Sequence, residues 1–61
     1  GVSPMEYIIR MRLDKAKQLL TITKSVKESC FASGFNDVNY FVRLFKNREG
    51  ITPGNFVLRT F

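Results

Sequence analysis

The sequence predicts an all-α chain, and three observations carry that prediction. Serines followed three positions later by Glu, at Ser3 and Glu6 and again at Ser25 and Glu28, form the pattern that starts helices. Gly34 and Gly50 stand where helices would stop. Between these marks apolar residues recur three and four apart, and no run alternates at the two-residue period of a strand.

The first helix opens at Ser3. Its hydroxyl can accept an amide hydrogen of the first turn while Glu6 reaches back, and Pro4 costs nothing there because that amide has no partner. Nothing breaks the helix before Leu20, so residues 3–20 read as one helix, roughly 25 Å long. Ile8, Arg12, Ala16, Leu19 and Leu20 recur at the spacings of one face and form the expected inner stripe; Arg10, Lys15 and Lys17 fall elsewhere, toward solvent. The β-branched stretch from Thr21 to Lys24 reads as a connector. Ser25 then opens a short second helix that ends near Ser33, with Gly34 as the left-handed residue after it and Phe35 turning directly into the core. Asn36 or Asp37 caps a third helix running to about Arg48. Gly50 ends it, and Thr52-Pro53 begins a last short helix over residues 53–60 that carries Phe56 and Leu58.

Sixty-one residues make one small domain, which hides only about 60% of its unfolded surface. An apolar content of 44% is enough for a single core and argues against disorder. No apolar run approaches the roughly 18 residues of a membrane span, and the start of the chain lacks the pattern of a signal peptide. With no His and a single cysteine, Cys30, the chain has too few soft ligands for zinc and no internal disulfide, which fits a reducing cytoplasm. No His, no paired acids and no glycine-rich phosphate loop argue against an enzyme, and no cofactor is implied. Ten Lys and Arg against five Asp and Glu give +5, which favours a polyanionic partner, nucleic acid ahead of an anionic membrane surface.

The middle of the chain, helix, glycine-centred turn, helix, has the outline of a helix-turn-helix. Cys30 lies four residues before Gly34, where the two helices of such a motif cross closely; it reads as a small buried hydrophobe rather than a redox sensor. The third helix is two-faced. At 100° per residue with Val38 at zero, Val42, Lys46, Asn39 and Arg43 fall between roughly 40° and 140°. Tyr40, Leu44, Phe41 and Phe45 fall between roughly 200° and 340° and have core spacing. Solvent alone gives no reason for Val38 and Val42, poor helix formers, on the polar side. A major groove gives one: valine methyls pack on thymine methyls, Asn39 pairs with adenine and Arg43 takes guanine in bidentate fashion, while Lys46 suits a phosphate.

These residues resemble the signature of the AraC/XylS family of bacterial transcription regulators. The stretch SVKESCFASGFNDVNYFVRLFKNREGITPGNF carries the match through Gly34-Phe35, Asp37, Tyr40-Phe41, Arg43, Phe45-Lys46, Gly50 and Pro53. Tyr7-Ile8, Arg12-Leu13, Ala16 and Leu19-Leu20 resemble the family's linker helix, so the resemblance covers essentially the whole chain. Three residues depart from the pattern: Ser29 stands where an aliphatic residue is usual, Cys30 where Ala is, and Val57 follows Phe56 where Arg is common. A buried Ser29 hydroxyl needs a partner, for which the carbonyl of residue 25 is the expected one.

The resemblance implies a homeodomain-like helix-turn-helix fold and sequence-specific binding of double-stranded promoter DNA, with the recognition helix over residues 37–48 in the major groove. It implies base contacts from Val38, Asn39, Val42 and Arg43. Backbone contacts go to Lys46 and Asn47 and to the start of the short helix at Ser25 and Lys27, with Lys24 beside them. Arg12 is expected to pair with an acceptor at the core edge. The family also gives a reading of a repeat: GVSPMEYI at residues 1–8 and GITPGNFV at residues 50–57 share Gly, aliphatic, hydroxyl, Pro, then an aromatic. In the family each of two tandem helix-turn-helix units ends in such a tail. The expectation is that this chain is the C-terminal half of the DNA-binding domain, with the first unit, about 45–50 residues, upstream, together with a regulatory domain. A helix-turn-helix adaptor that meets protein instead, RNA polymerase or a receiver domain, is the alternative; DNA binding falls steeply with salt, and an apolar protein contact does not.

Overall fold

The structure, a computed structural model, describes residues 3–60; Gly1 and Val2, which begin the first copy of the repeat, and Phe61 lie outside the described residues. Four helices follow one another among the described residues: α1 Pro4–Thr23, α2 Val26–Ala32, α3 Val38–Glu49 and α4 Pro53–Thr60. The all-α expectation holds, and the element order is the expected one.

Each helix start is set by an oxygen-bearing cap. The Ser3 hydroxyl accepts from the Glu6 amide at 3.1 Å, Ser25 from the Glu28 amide at 3.2 Å, and the Asp37 carboxylate from the Tyr40 amide at 3.1 Å. Thr52 does the same for the Asn55 amide at 3.2 Å. These bonds satisfy amides that the helix itself leaves unpaired. At α1 only half of the expected box forms, because the Glu6 carboxylate turns to Arg48 and Arg10.

The linker helix extends one turn beyond Leu20, through residues expected to be a connector. Low propensity at Thr21, Ile22 and Thr23 costs at most about 0.7 kcal/mol per residue, which is too little to end a helix that meets no breaker. The Thr21 hydroxyl donates back to the Gln18 carbonyl at 2.6 Å. The end comes at Lys24, whose φ of 57° is left-handed and whose amide donates to the Leu20 carbonyl at 3.1 Å.

Ala16 and Leu20 of the expected inner stripe of α1 are buried and Leu19 is half-buried, but the first half of the stripe is displaced. Leu13, Ala16 and Leu20 are buried and Ile9 packs against them, whereas Ile8 and Arg12 face outward. Both stripes have helical spacing, but the expected one would have buried the Arg12 cation, at a desolvation cost that needs a partner. Arg12 finds no ion pair among the described residues and lies instead along Gly34, where an added Cβ would stand 3.1 Å from its Nε.

The turn between α2 and α3 closes α2 in a Schellman arrangement. Gly34, at φ 106°, donates to the Phe31 carbonyl at 3.2 Å and Phe35 to the Cys30 carbonyl at 3.0 Å. Phe35 thereby enters a core made with Leu13, Ala16, Leu20, Cys30, Phe41 and Phe45. Phe35, Phe41, Phe45 and Phe56 form a chain of ring contacts with centroids 5.1, 5.7 and 5.6 Å apart. Tilted and edge-on pairs of this kind add about 0.5–1.5 kcal/mol each beyond the area they bury. Ser29 is fully buried, and its partner is not the carbonyl of residue 25: its hydroxyl meets the Thr23 hydroxyl at 3.1 Å. Thr23 in turn accepts from the Ser25 amide at 3.1 Å and donates to the Ser25 carbonyl, so Ser29 is the donor that completes the set. The extra turn of α1 therefore supplies the polar partner that an aliphatic residue would not have needed.

Candidate nucleic-acid interface

Burial divides α3 into two arcs. Phe41 and Phe45 are fully buried, and Leu44, Val38 and Val42 are half-buried against the core. Asn39, Arg43, Lys46 and Asn47 are exposed along the other arc. The side chains of these four make no hydrogen bond or ion pair among the described residues. Tyr40, placed on the core side by the sequence wheel, is 45% exposed and joins the open arc, touching Phe35 with a ring separation of 6.3 Å. The valines thus lie on the border between the arcs. Core packing accounts for both valines without a groove.

The cations of α3 differ in a way the sequence does not disclose. Arg43 and Lys46 are open, whereas Arg48 donates to Glu6 through both terminal guanidinium nitrogens, Nη2 to Oε2 at 2.8 Å. The Glu6 carboxyl is held below its ordinary range, first by the hydrogen bond from Arg48, which outweighs the opposing effect of dehydration, and then by the charges of Arg48 and Arg10. Lys17, expected in solvent, pairs with Glu49 at 3.3 Å and Asp14 at 3.5 Å. A charge pair separated by 42 positions leaves no periodic trace in a sequence.

The start of α2 lies beside the turn. Lys27 is exposed and Ser25 is half-buried, its hydroxyl engaged as the cap of Glu28. Lys24 is exposed and holds its left-handed backbone without being glycine. Cys30 is fully buried; burial, and then the charge of Asp37, push its thiol up, so it stays a neutral packing group. Among the described residues no group of His, Cys, Asp and Glu could hold a metal ion, and no helix is long and apolar enough to cross a membrane.

A tight glycine turn that sets a basic, amide-bearing helix face outward on an aromatic core defines a helix-turn-helix module. A family model described as a helix-turn-helix domain matches residues 1–59. The chain is 46% identical over 54 residues to an HTH-type transcriptional regulator of Pseudoalteromonas carrageenovora, covering 88% of this chain and 31% of that protein. It is 41% identical over 54 residues to the transcriptional activator RhaS of Escherichia fergusonii, with 87% and 19% covered. It is 35% identical over 57 residues to AdaA of Bacillus subtilis, a bifunctional transcriptional activator and DNA repair enzyme, with 92% and 27% covered. No solved structure gives a significant match. The chain belongs to the AraC/XylS family of helix-turn-helix transcription regulators. At that level its function is DNA binding in transcription regulation. It spans about a fifth to a third of the length of the relatives named here.

Proposed function

We propose that α3 enters the major groove of promoter DNA and reads sequence there. The observation that carries this reading is the open arc of α3, where Asn39 and Arg43 are exposed and uncommitted while the opposite arc is anchored by Phe41 and Phe45. Asn39 and Arg43 have the geometry to pair with adenine and guanine edges, and the outer methyls of Val38 and Val42 lie beside them for thymine methyls. Lys46 and Asn47, a turn farther along, meet the phosphate backbone, with Lys24, Lys27 and the Ser25 end of α2 on the flanking strand. The shared Gly-x-hydroxyl-Pro segments support reading this chain as the second of two such units joined by α1, each in a successive groove about 34 Å apart. The upstream unit and a regulatory domain complete the protein on this reading, and it acts in the cytoplasm.

Binding to a duplex enriched from a random-sequence pool tests the docking. Arg43→Ala is expected to remove about 1–3 kcal/mol of discrimination against changes at one base pair, and Lys46→Ala to weaken all sequences alike and lower the salt slope by about 1. If neither change alters binding, α3 is not the reading element.

A further inference from the structure

We propose that the ion pairs joining the end of α3 to α1 are a positioning device that fixes the angle at which the DNA-reading helix leaves the domain; this rests on the reading of α3 given above. The closest helix packing runs between α1 and α2, α1 and α4, α2 and α3, and α3 and α4. The end of α3 meets α1 through long charged side chains. Arg48 reaches Glu6, and its neighbour Glu49 reaches Lys17 at 3.3 Å. Glu6 and Lys17 stand on the same side of α1, roughly 16 Å apart along its axis. Adjacent residues of α3 therefore reach in opposite directions along α1, and the end of α3 lies over its middle. The cleft between them, lined by Arg10, Leu13, Asp14, Arg48 and Glu49, confirms that placement.

Two stays pulling apart along one helix resist rotation of the other about their midpoint. Their polarity is also opposed. Turning α3 the other way would bring Arg48 toward Lys17 and Glu49 toward Glu6, like charge against like in both places. The side chains of Glu6, Lys17, Arg48 and Glu49 are 27–33% exposed, a setting in which ion pairs contribute little to stability. Orientation is what they can supply, and the bidentate Arg48–Glu6 fork is the more directional of the two. Held in this way, Arg48 and Lys17 are withdrawn from the phosphates that Lys46 and Asn47 face.

The test uses Glu6→Arg, Arg48→Glu and the double exchange in the intact protein, whose net charge the double exchange leaves unchanged. Affinity is measured for a duplex that the parent enriches from a random-sequence pool and for a shuffled duplex of the same composition, with melting curves alongside to show that each variant is folded at the assay temperature. Each single change is expected to lower the ratio of the two affinities about tenfold, and the double exchange to restore most of it. A double exchange no better than the worse single, or a Glu6→Arg variant that discriminates as well as the parent, overturns the proposal. Arg48→Gln gives an independent reading: an unchanged salt slope supports a positioning role, and a slope reduced by about 0.9 makes Arg48 a phosphate contact and overturns it. A parent that prefers no duplex removes the reading of α3 and the proposal with it; a discriminating parent with equally discriminating variants removes the proposal alone.

Discussion

The heads of α1 and α4 begin alike and end differently. In both, a hydroxyl residue caps the amide three positions on and a proline takes the first helical position. In both, the aromatic residue four positions after the cap donates its amide to the cap carbonyl, Tyr7 to Ser3 at 3.0 Å and Phe56 to Thr52 at 2.9 Å. There the likeness stops. Phe56 is half-buried edge-on against Phe45, whereas Tyr7 is 60% exposed. The repeated words in the sequence therefore specify a local event, the start of a helix. What the aromatic does next depends on the neighbour the fold brings to it, and in the described residues only α4 has one.

Removing the two aromatics breaks the comparison most sharply. Phe56→Ala takes away a ring in contact with the core and is expected to cost about 2–3 kcal/mol, below the full range for a wholly buried Phe. Tyr7→Ala is expected to stay within about 0.5 kcal/mol of the parent. A domain of this size has only about 3–9 kcal/mol in all, so the first change shifts a urea midpoint substantially and the second barely. Equal shifts would mean that the exposure of Tyr7 misrepresents its surroundings. The caps give a smaller effect and the opposite pattern. Ser3→Ala and Thr52→Ala are each expected to cost about 1 kcal/mol, because the same kind of orphan amide loses its acceptor in both. Urea titration of the two variants, side by side, measures how local the shared motif is; costs that differ severalfold would show that tertiary contacts enter the cap itself.

The same division explains what the sequence discloses. Caps at Ser3, Ser25, Asp37 and Thr52 and the stops at Gly34 and Gly50 involve residues within a turn of one another, and they are legible, the third cap to within one residue because Asn36 and Asp37 are both cap formers. Which residues of the first turns of α1 face inward is not, since 8 and 12 lead into 16, 19 and 20 at helical spacing as well as 9 and 13 do. Only the cost of burying Arg12 separates them. The partner of Ser29 was out of reach for a related reason. It is Thr23, on a turn of helix whose β-branched residues read as a connector. At the interface, the open positions of Asn39, Arg43 and Lys46 follow from helical angles alone, whereas Asn47 is expected there only through the family resemblance. The engagement of Arg48 did not, because its partner Glu6 belongs to the far end of the chain.

Acid titration sharpens the comparison at its finest grain. Three positions after each cap stands a polar residue, Glu6 at α1 and Asn55 at α4, and only the first titrates. In the folded chain the Glu6 carboxyl lies below its ordinary value of 4.5, chiefly because Arg48 donates to it, with the charges of Arg48 and Arg10 adding to the effect. As pH falls, the unfolded chain takes up this proton first. The unfolded state then binds more protons than the native one, and stability declines with falling pH. The contribution is complete above the unfolded value and disappears as pH drops through the folded one. Glu6→Gln is therefore expected to flatten the acid limb of a stability–pH curve below about pH 4.5, while Asn55→Ala, which removes no titrating group and keeps the amide that donates to Thr52, leaves the shape of the curve unchanged. Urea midpoints at several pH values between neutral and acid measure both. An acid limb equally steep in Glu6→Gln would assign acid sensitivity to another carboxylate and leave the Arg48 fork without thermodynamic weight in the free protein.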